Sequence, residues 1–175
     1  MSAIATLTKK YVNELNGLKT KVLDTRKTTP LLRFLEKEAV LIGGGHNHRM
    51  GLYDMIMLKD NHIDFAGNIE KAINKTTDYL KSNNLNLKIE VEARNLDEVK
   101  EILKVGGIQR IMLDNFSFED IRTAVELIEG KAETEASGGI TLDSLRNYAE
   151  CGVDFISVGA LTHSVHNMDL SLKAI

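Results

Sequence analysis

Residues 87–114 read LKIEVEARNLDEVKEILKVGGIQRIMLD, and how this stretch divides decides the fold. LKIEVE is a short run of apolar and β-branched residues broken by acids. After the polar turn, Asn95 to Leu103 place apolar side chains at helical spacing, and two glycines lead into a second short run, RIMLD. The stretch is therefore one strand, one helix and the next strand. The unit returns as AETEAS at 132–137 and DFISVG at 154–159, with helical periods over Ser117–Ile128 and Thr141–Ala149 and with Ser117 and Thr141 placed as N-caps. Lys88, Arg110, Ala132 and Asp154 open their strands about 22 residues apart, the length of a strand, a helix and two tight loops.

Upstream, KVLD at 21–24 and MIMLKD at 55–60 add two strands. Ile4, Leu7, Tyr11, Val12 and Leu15 give a helical period that Gly17 stops. Repeated βα units predict a parallel sheet whose right-handed crossovers bring every strand-to-helix turn to one end. Six strands fall short of the eight of a closed barrel. The expectation is an α/β fold, an open or incomplete (β/α) barrel of about six parallel strands, forming a single domain over 1–175 with 1–17 as a lead-in helix.

Composition bounds the function. With 43% hydrophobic and 27% charged residues among 175, the chain suits one globular domain with a substantial core. The single Cys151 makes no internal disulfide, and the N-terminal MSAIATLTKKY lacks the basic and apolar regions of a secretory signal, so a cytoplasmic protein without a membrane span is expected. A net charge of −3 and 5% aromatic content argue against a nucleic-acid surface. The total hides an asymmetry: residues 1–62 carry ten Lys/Arg against six Asp/Glu, and the remainder twelve against nineteen. Two such halves lining one cleft would hold anionic groups on one side and a metal ion or sugar hydroxyls on the other.

The candidate residues follow strands. Arg26, Lys27, His46, His48, Arg49, Lys59 and His62 lie in turns beside apolar runs, and enclosed cations need a partner to offset desolvation, so the ligand is an anion. SGG at 137–139 and VGAL at 158–161 follow the last two strands, where glycine lets backbone N–H groups approach a phosphate. Glu92 and Asp114 are acids on neighbouring strands, and a buried Glu92 calls for Lys27, Lys59 or a bound cation. His46 and His48 form an HxH pair with metal-ligand spacing, the basis of an alternative reading as a metal-dependent barrel hydrolase, which the adjacent Arg49 opposes. Gly43 to Gly45 fit no dinucleotide or Walker pattern and read as a flexible turn. Asp24 and His62 read as groups that orient neighbours.

These segments also carry a resemblance. DTRKTTP at 24–30, GGGHNHRMGLYD at 43–54, LKDNHI at 58–63, IEVEARN at 89–95, LDNF at 113–116, EASGGIT at 135–141 and VGALTHS at 158–164 resemble quinolinate phosphoribosyltransferases, in family order over almost the whole chain. The resemblance implies the type II phosphoribosyltransferase fold and a role in NAD biosynthesis: quinolinate and phosphoribosyl pyrophosphate, with Mg²⁺, give nicotinate mononucleotide, pyrophosphate and CO₂. It implies that Arg26, His48 and Arg49 hold the two carboxylates of quinolinate, and that Lys27 and Lys59 are shared between carboxylate and pyrophosphate. By the same resemblance, Glu92 and Asp114 address the ribose hydroxyls and Mg²⁺, and Ser137, Gly138, Gly139, Gly159 and His163 cradle the 5′-phosphate.

Two departures from the family pattern stand out. Leu31 replaces a glycine after Pro30, at a position expected to open a helix and so to accept leucine. The family also carries an N-terminal α/β domain that closes over the site of the partner subunit in a dimer and adds a basic residue, for which this chain has no matching position. The expectation is a barrel portion, self-associating as a homodimer or larger oligomer, with weak or no turnover alone. A non-catalytic phosphate-binding barrel fragment is the second alternative.

Overall fold

The computed structural model describes residues 1–166 and 168–174. In chain order its elements are α1 (Ser2–Glu14), β1 (Lys21–Leu23), α2 (Arg33–Ile42), β2 (Ile56–Leu58), α3 (Asp60–Ala66), α4 (Ile69–Ser82), β3 (Ile89–Ala93), α5 (Leu96–Val105), β4 (Arg110–Asp114), α6 (Phe118–Ile128), β5 (Glu133–Ser137), α7 (Leu142–Glu150), β6 (Phe155–Ser157) and α8 (Ala160–His163). All six expected strands form. Three of the four regularly spaced ones open one residue later than the sequence pattern suggests.

The strands make one parallel sheet in the order β1-β6-β5-β4-β3-β2. The first two strands of the chain are thus its two edges, and the barrel is open between them. The edge at β1 is partly extended by His46, whose N–H donates to the Val22 carbonyl (2.8 Å) while the Asp24 N–H donates back to the His46 carbonyl (3.1 Å).

Alternation along the strands separates two environments. Ile89, Val91 and Ala93 of β3, Ile111 and Leu113 of β4, Ala136 of β5 and Ile156 of β6 are buried in the apolar layer between sheet and helices. Fully burying side chains such as Ile111 and Leu113 stabilises the fold by roughly 1.5–3 kcal/mol each. The intervening positions, Glu90, Glu92, Arg110, Met112, Glu135 and Ser137, are also buried but on the concave side, which is therefore polar.

Capping fixes where the helices start. Ser117 accepts the Asp120 N–H (3.1 Å), Asn95 accepts those of Asp97 and Glu98, and Ser144 Oγ accepts the Thr141 N–H (3.0 Å).

Two expectations are corrected. Leu31 does not open a helix. The Leu32 N–H donates to the Thr29 carbonyl (3.1 Å) across a turn with Pro30 second and Leu31 third, Leu31 has φ +67°, and α2 starts only at Arg33. That is the third position of a type II turn, the one that favours glycine. Nor are Gly43 to Gly45 a flexible turn. A Cβ on Gly43 would stand 2.6 Å from the Ala5 carbonyl oxygen and the Thr8 Cβ, so the glycines let this segment press directly against α1.

Candidate active site

The strand-to-helix turns open into a cavity of about 680 Å³ at one end of the sheet. Every residue to which the family resemblance gave a role lines it: Arg26, Lys27, His48, Arg49, Lys59, Glu92, Asp114, Ser137, Gly138, Gly139, Gly159 and His163. His46 does not. It lies exposed on the β1 edge, and the HxH pair is not a shared metal site. The carboxylates near His48 are instead Glu90 and Glu135, whose ligating atoms and the ring nitrogen all lie within 4.8 Å of one another. A cation there would have to displace the Arg110 guanidinium, whose Nη1 already donates to Glu135 Oε2 at 3.0 Å.

One wall is cationic. Arg26, half-buried, has its Nε shielded from solvent and without a partner. The Arg49 guanidinium donates, among the described residues, only to the Met55 carbonyl (3.2 Å) and the Met57 sulfur (3.6 Å). Among the described residues neither arginine, nor Lys27, forms an ion pair. Burial and then the neighbouring Arg26 charge make Arg49 hold its proton less tightly than usual.

This wall is made of loops, and α2 staples them. Arg33 reaches Thr28 Oγ1 (3.1 Å), the Arg26 carbonyl (3.2 Å) and the Met50 carbonyl (3.3 Å), while Glu36 accepts the Thr29 N–H (3.0 Å). Lys37 is wholly buried. Its ammonium pairs with Asp24 and donates to the His48 carbonyl (3.0 Å), and Asp24 accepts the His48 N–H (2.9 Å). Burial drives Asp24 up and Lys37 down in pKa, and their mutual contact opposes both shifts. Asp24 thus orients the 46–49 loop. His62 plays the lesser part the sequence suggested, accepting the Lys59 N–H on Nδ1 (2.9 Å) at the start of α3.

The opposite wall is acidic and internally bonded. Glu92 Oε2 is 2.7 Å from Lys59 Nζ, which answers the need for a partner. Asp114 accepts from Ser137 Oγ (2.5 Å) and from Asn115 Nδ2 (2.8 Å). At Gly138, with φ +98°, a Cβ would meet Asn115 Oδ1 at 2.1 Å, so the Ser-Gly-Gly turn and Asn115 fit only with glycine there. His163 turns its Nδ1 to Ser164 Oγ (2.6 Å) while its ring edge lies over Gly159.

His48 lines the cavity and has buried carboxylates behind it. Its Nδ1 accepts the Arg49 N–H (2.7 Å), and its Nε2 lies 3.0 Å from Glu90 and 3.4 Å from Glu135. Nδ1 is thus engaged, while Nε2 is buried beside the two carboxylates without a hydrogen-bond partner among the described residues. Burial pulls the ring toward neutrality, but the two carboxylates outweigh it and raise the pKa to about 9, while burial and Glu135 lift Glu90 to about 7. The Arg49 N–H seated on Nδ1 opposes the second ring proton that the carboxylates favour, and the ring form compatible with this bond carries its proton on Nε2 alone.

Several site residues were not singled out from the sequence: Glu135 in the cavity, and Arg33, Glu36 and Lys37 behind it. The IEVEA and ETEAS alternation was the available signal for the buried acids. An amphipathic helix gives no comparable sign that Lys37 points inward.

Fold and site together define an open α/β barrel that gathers anionic ligands on a cationic wall facing paired acids. Residues 4–173 match the model of the quinolinate phosphoribosyl transferase C-terminal domain, and the chain belongs to that family. It is 50% identical over 187 residues to a chloroplastic nicotinate-nucleotide pyrophosphorylase (carboxylating) from Arabidopsis thaliana, covering 99% of this chain and 53% of that protein. It is 45% identical to a probable enzyme of the same name from Bacillus subtilis, covering 98% and 58%. The crystal structure of NadC from Streptococcus pyogenes superposes with a TM-score of 0.92 at 43% identity, covering 99% of this chain and 59% of that one. The chain thus spans a little over half the length of these relatives.

Proposed function

We propose that the cavity is a phosphoribosyl-transfer site that joins quinolinate to phosphoribosyl pyrophosphate and releases pyrophosphate and CO₂, giving nicotinate mononucleotide for NAD biosynthesis. The observation that carries this reading is the unpaired Arg26–Lys27–Arg49 group facing Glu92 and Asp114 across one cavity. Arg26 and Arg49 clamp the two carboxylates of the pyridine and so aim its ring nitrogen at the ribose C1′. Lys27 and Lys59 neutralise the departing pyrophosphate, with Lys59 exchanging its Glu92 contact for the phosphate. The C1′–O bond breaks and the C1′–N bond forms through an oxocarbenium-like ribose, whose charge Glu92 and Asp114 offset. The carboxyl beside the ring nitrogen then leaves as CO₂, and the carbon it vacates takes a proton. The Ser137-Gly138-Gly139 turn, Gly159 and His163 form the side of the cavity that suits the 5′-phosphate.

Glu92 and Asp114 offer hard oxygen donors on adjacent strands, a set that fits Mg²⁺ arriving with its waters and the pyrophosphate. When bound, that ion would neutralise charge on the leaving group. Phe34 on α2 and Leu52 and Tyr53 in the 50–54 loop are exposed apolar residues, which supports self-association as a homodimer or larger assembly. No helix among the described residues is long and apolar enough to cross a membrane, and a cytoplasmic location is part of the proposal.

Calorimetric titration of the chain with quinolinate, and separately with phosphoribosyl pyrophosphate and Mg²⁺, tests the reading. Arg49→Ala is expected to weaken quinolinate about 10- to 100-fold, and Asp114→Ala to weaken phosphoribosyl pyrophosphate by a similar factor. Binding of neither ligand by the unaltered chain would remove the proposal.

A further inference from the structure

Beneath the cationic wall lies a buried cluster to which the proposed reaction gives no part. Glu90 and Glu135 are fully buried on the concave face, one on β3 and the other on β5, with Arg110 of β4 between them. Arg110 satisfies Glu135 Oε2 and stacks on the Phe155 ring, its guanidinium carbon 4.1 Å from the ring centroid. Among the described residues both oxygens of Glu90, Oε1 of Glu135 and Nε2 of His48 have no hydrogen-bond partner. Burying two carboxylates this way is costly, and a structural role in the floor alone would be met as well by apolar residues of the same size. What the pair does face is the His48 ring, 3.0 and 3.4 Å away.

We propose, resting on the reading of the cavity as a quinolinate site, that Glu90 and Glu135 are positioning residues that act through His48 on Arg49. Two carboxylates within 3.4 Å of Nε2 favour the ring proton there by their charge, with no aligned hydrogen bond to it, and this leaves Nδ1 as the acceptor for the Arg49 N–H. That bond fixes the main chain from which the Arg49 guanidinium projects into the cavity. The other charged groups on the loop, Asp24 of the segment after β1 and Lys37 of α2, grip the His48 backbone from the other side. The ring and the main chain are therefore held independently. The acid pair governs only the ring, and only the diacid end of the cavity depends on it.

The test uses the whole chain, with Glu90→Gln and Glu135→Gln, quinolinate and phosphoribosyl pyrophosphate with Mg²⁺ as separate probes, and long-range proton–nitrogen spectra of the His48 ring. The unaltered chain should show one fixed tautomer with the proton on Nε2. Either glutamine should mix the tautomers and weaken quinolinate about tenfold, the worth of one net hydrogen bond, while phosphoribosyl pyrophosphate affinity stays within about twofold. Equal weakening of both ligands would mean a general structural role and overturn the inference, as would an averaged ring in the unaltered chain. A fixed tautomer that the variants release, in a chain that binds no quinolinate, would support the brace on Arg49 and remove the functional reading instead. Should neither variant fold, the spectrum of the unaltered chain decides: a fixed Nε2 proton supports the brace and an averaged ring overturns it.

Discussion

The two walls of the cavity are built in opposite ways. On the acidic wall, Glu92 and Asp114 rise from adjacent paired strands and already hold Lys59, Ser137 and Asn115, so a ligand there must exchange existing bonds for new ones. On the cationic wall, Arg26 and Arg49 sit on loops, unpaired, and their electrostatic demand is left for the ligand to meet. A backbone ladder holds the first wall. The second depends on side chains of α2 reaching back into the loops. Charge that is left unsatisfied for binding needs a scaffold that does not rely on that charge, and the buried Asp24–Lys37 pair supplies it.

The sharpest way to break this contrast is Lys37→Met. It strands Asp24 as an unpaired buried charge and should cost about 3–5 kcal/mol in urea unfolding. Asp24→Leu combined with Lys37→Met should recover much of that loss, because an apolar pair needs no partner. The double variant would still lose the Asp24 bond to the His48 N–H, so quinolinate binding should stay weak while phosphoribosyl pyrophosphate binding returns. A single-variant loss below about 1 kcal/mol would mean that the loops are held by something other than this pair.

Gly138→Ala probes the other wall with a smaller effect. The backbone at φ +98° and the approach to Asn115 both exclude a Cβ, so a penalty of about 1–3 kcal/mol is expected in thermal or urea unfolding. Here the ligand affected should be phosphoribosyl pyrophosphate, with quinolinate binding retained. An equal loss of both ligands would erase the distinction between the walls.

The sequence made the strands and rim legible because both rest on local patterns. Short apolar runs at a 22-residue beat can hardly be anything but βα units, and rim residues are those that follow the runs. The family motifs then named twelve residues that share one cavity. Less legible was everything that depends on which way a charged side chain points. Lys37 looks like a surface residue of an amphipathic helix, and only the fold turns it toward Asp24. His48 was read as a ligand contact from the family resemblance, and nothing in its own stretch of sequence points to buried acids beside it. Its neighbours in space are Glu90 and Glu135, brought from strands more than forty residues away. The HxH alternative, already opposed by Arg49 in the sequence, fails in space for a related reason: pairing with β1 leaves His46 outside while His48 turns in.

Leu31 combines both lessons and gives the smallest expected effect. Pro30 announced a turn, but reading it as a helix start hid the demand for a positive φ at the next residue. A leucine in the left-handed region costs about 1–2 kcal/mol, and here the side chain is fully exposed, so no burial offsets that cost. Leu31→Gly removes the strain but adds about 0.5–1 kcal/mol of chain entropy in the unfolded state. The balance is a gain of about 0.5 kcal/mol, seen as a rise of about 1–2 °C in Tm. Leu31→Ala keeps both the Cβ and the strain, so it should leave Tm where it was. If alanine gained as much as glycine, the benefit would come from removing an exposed apolar side chain, and the turn would not be what links α2 to the cationic loop.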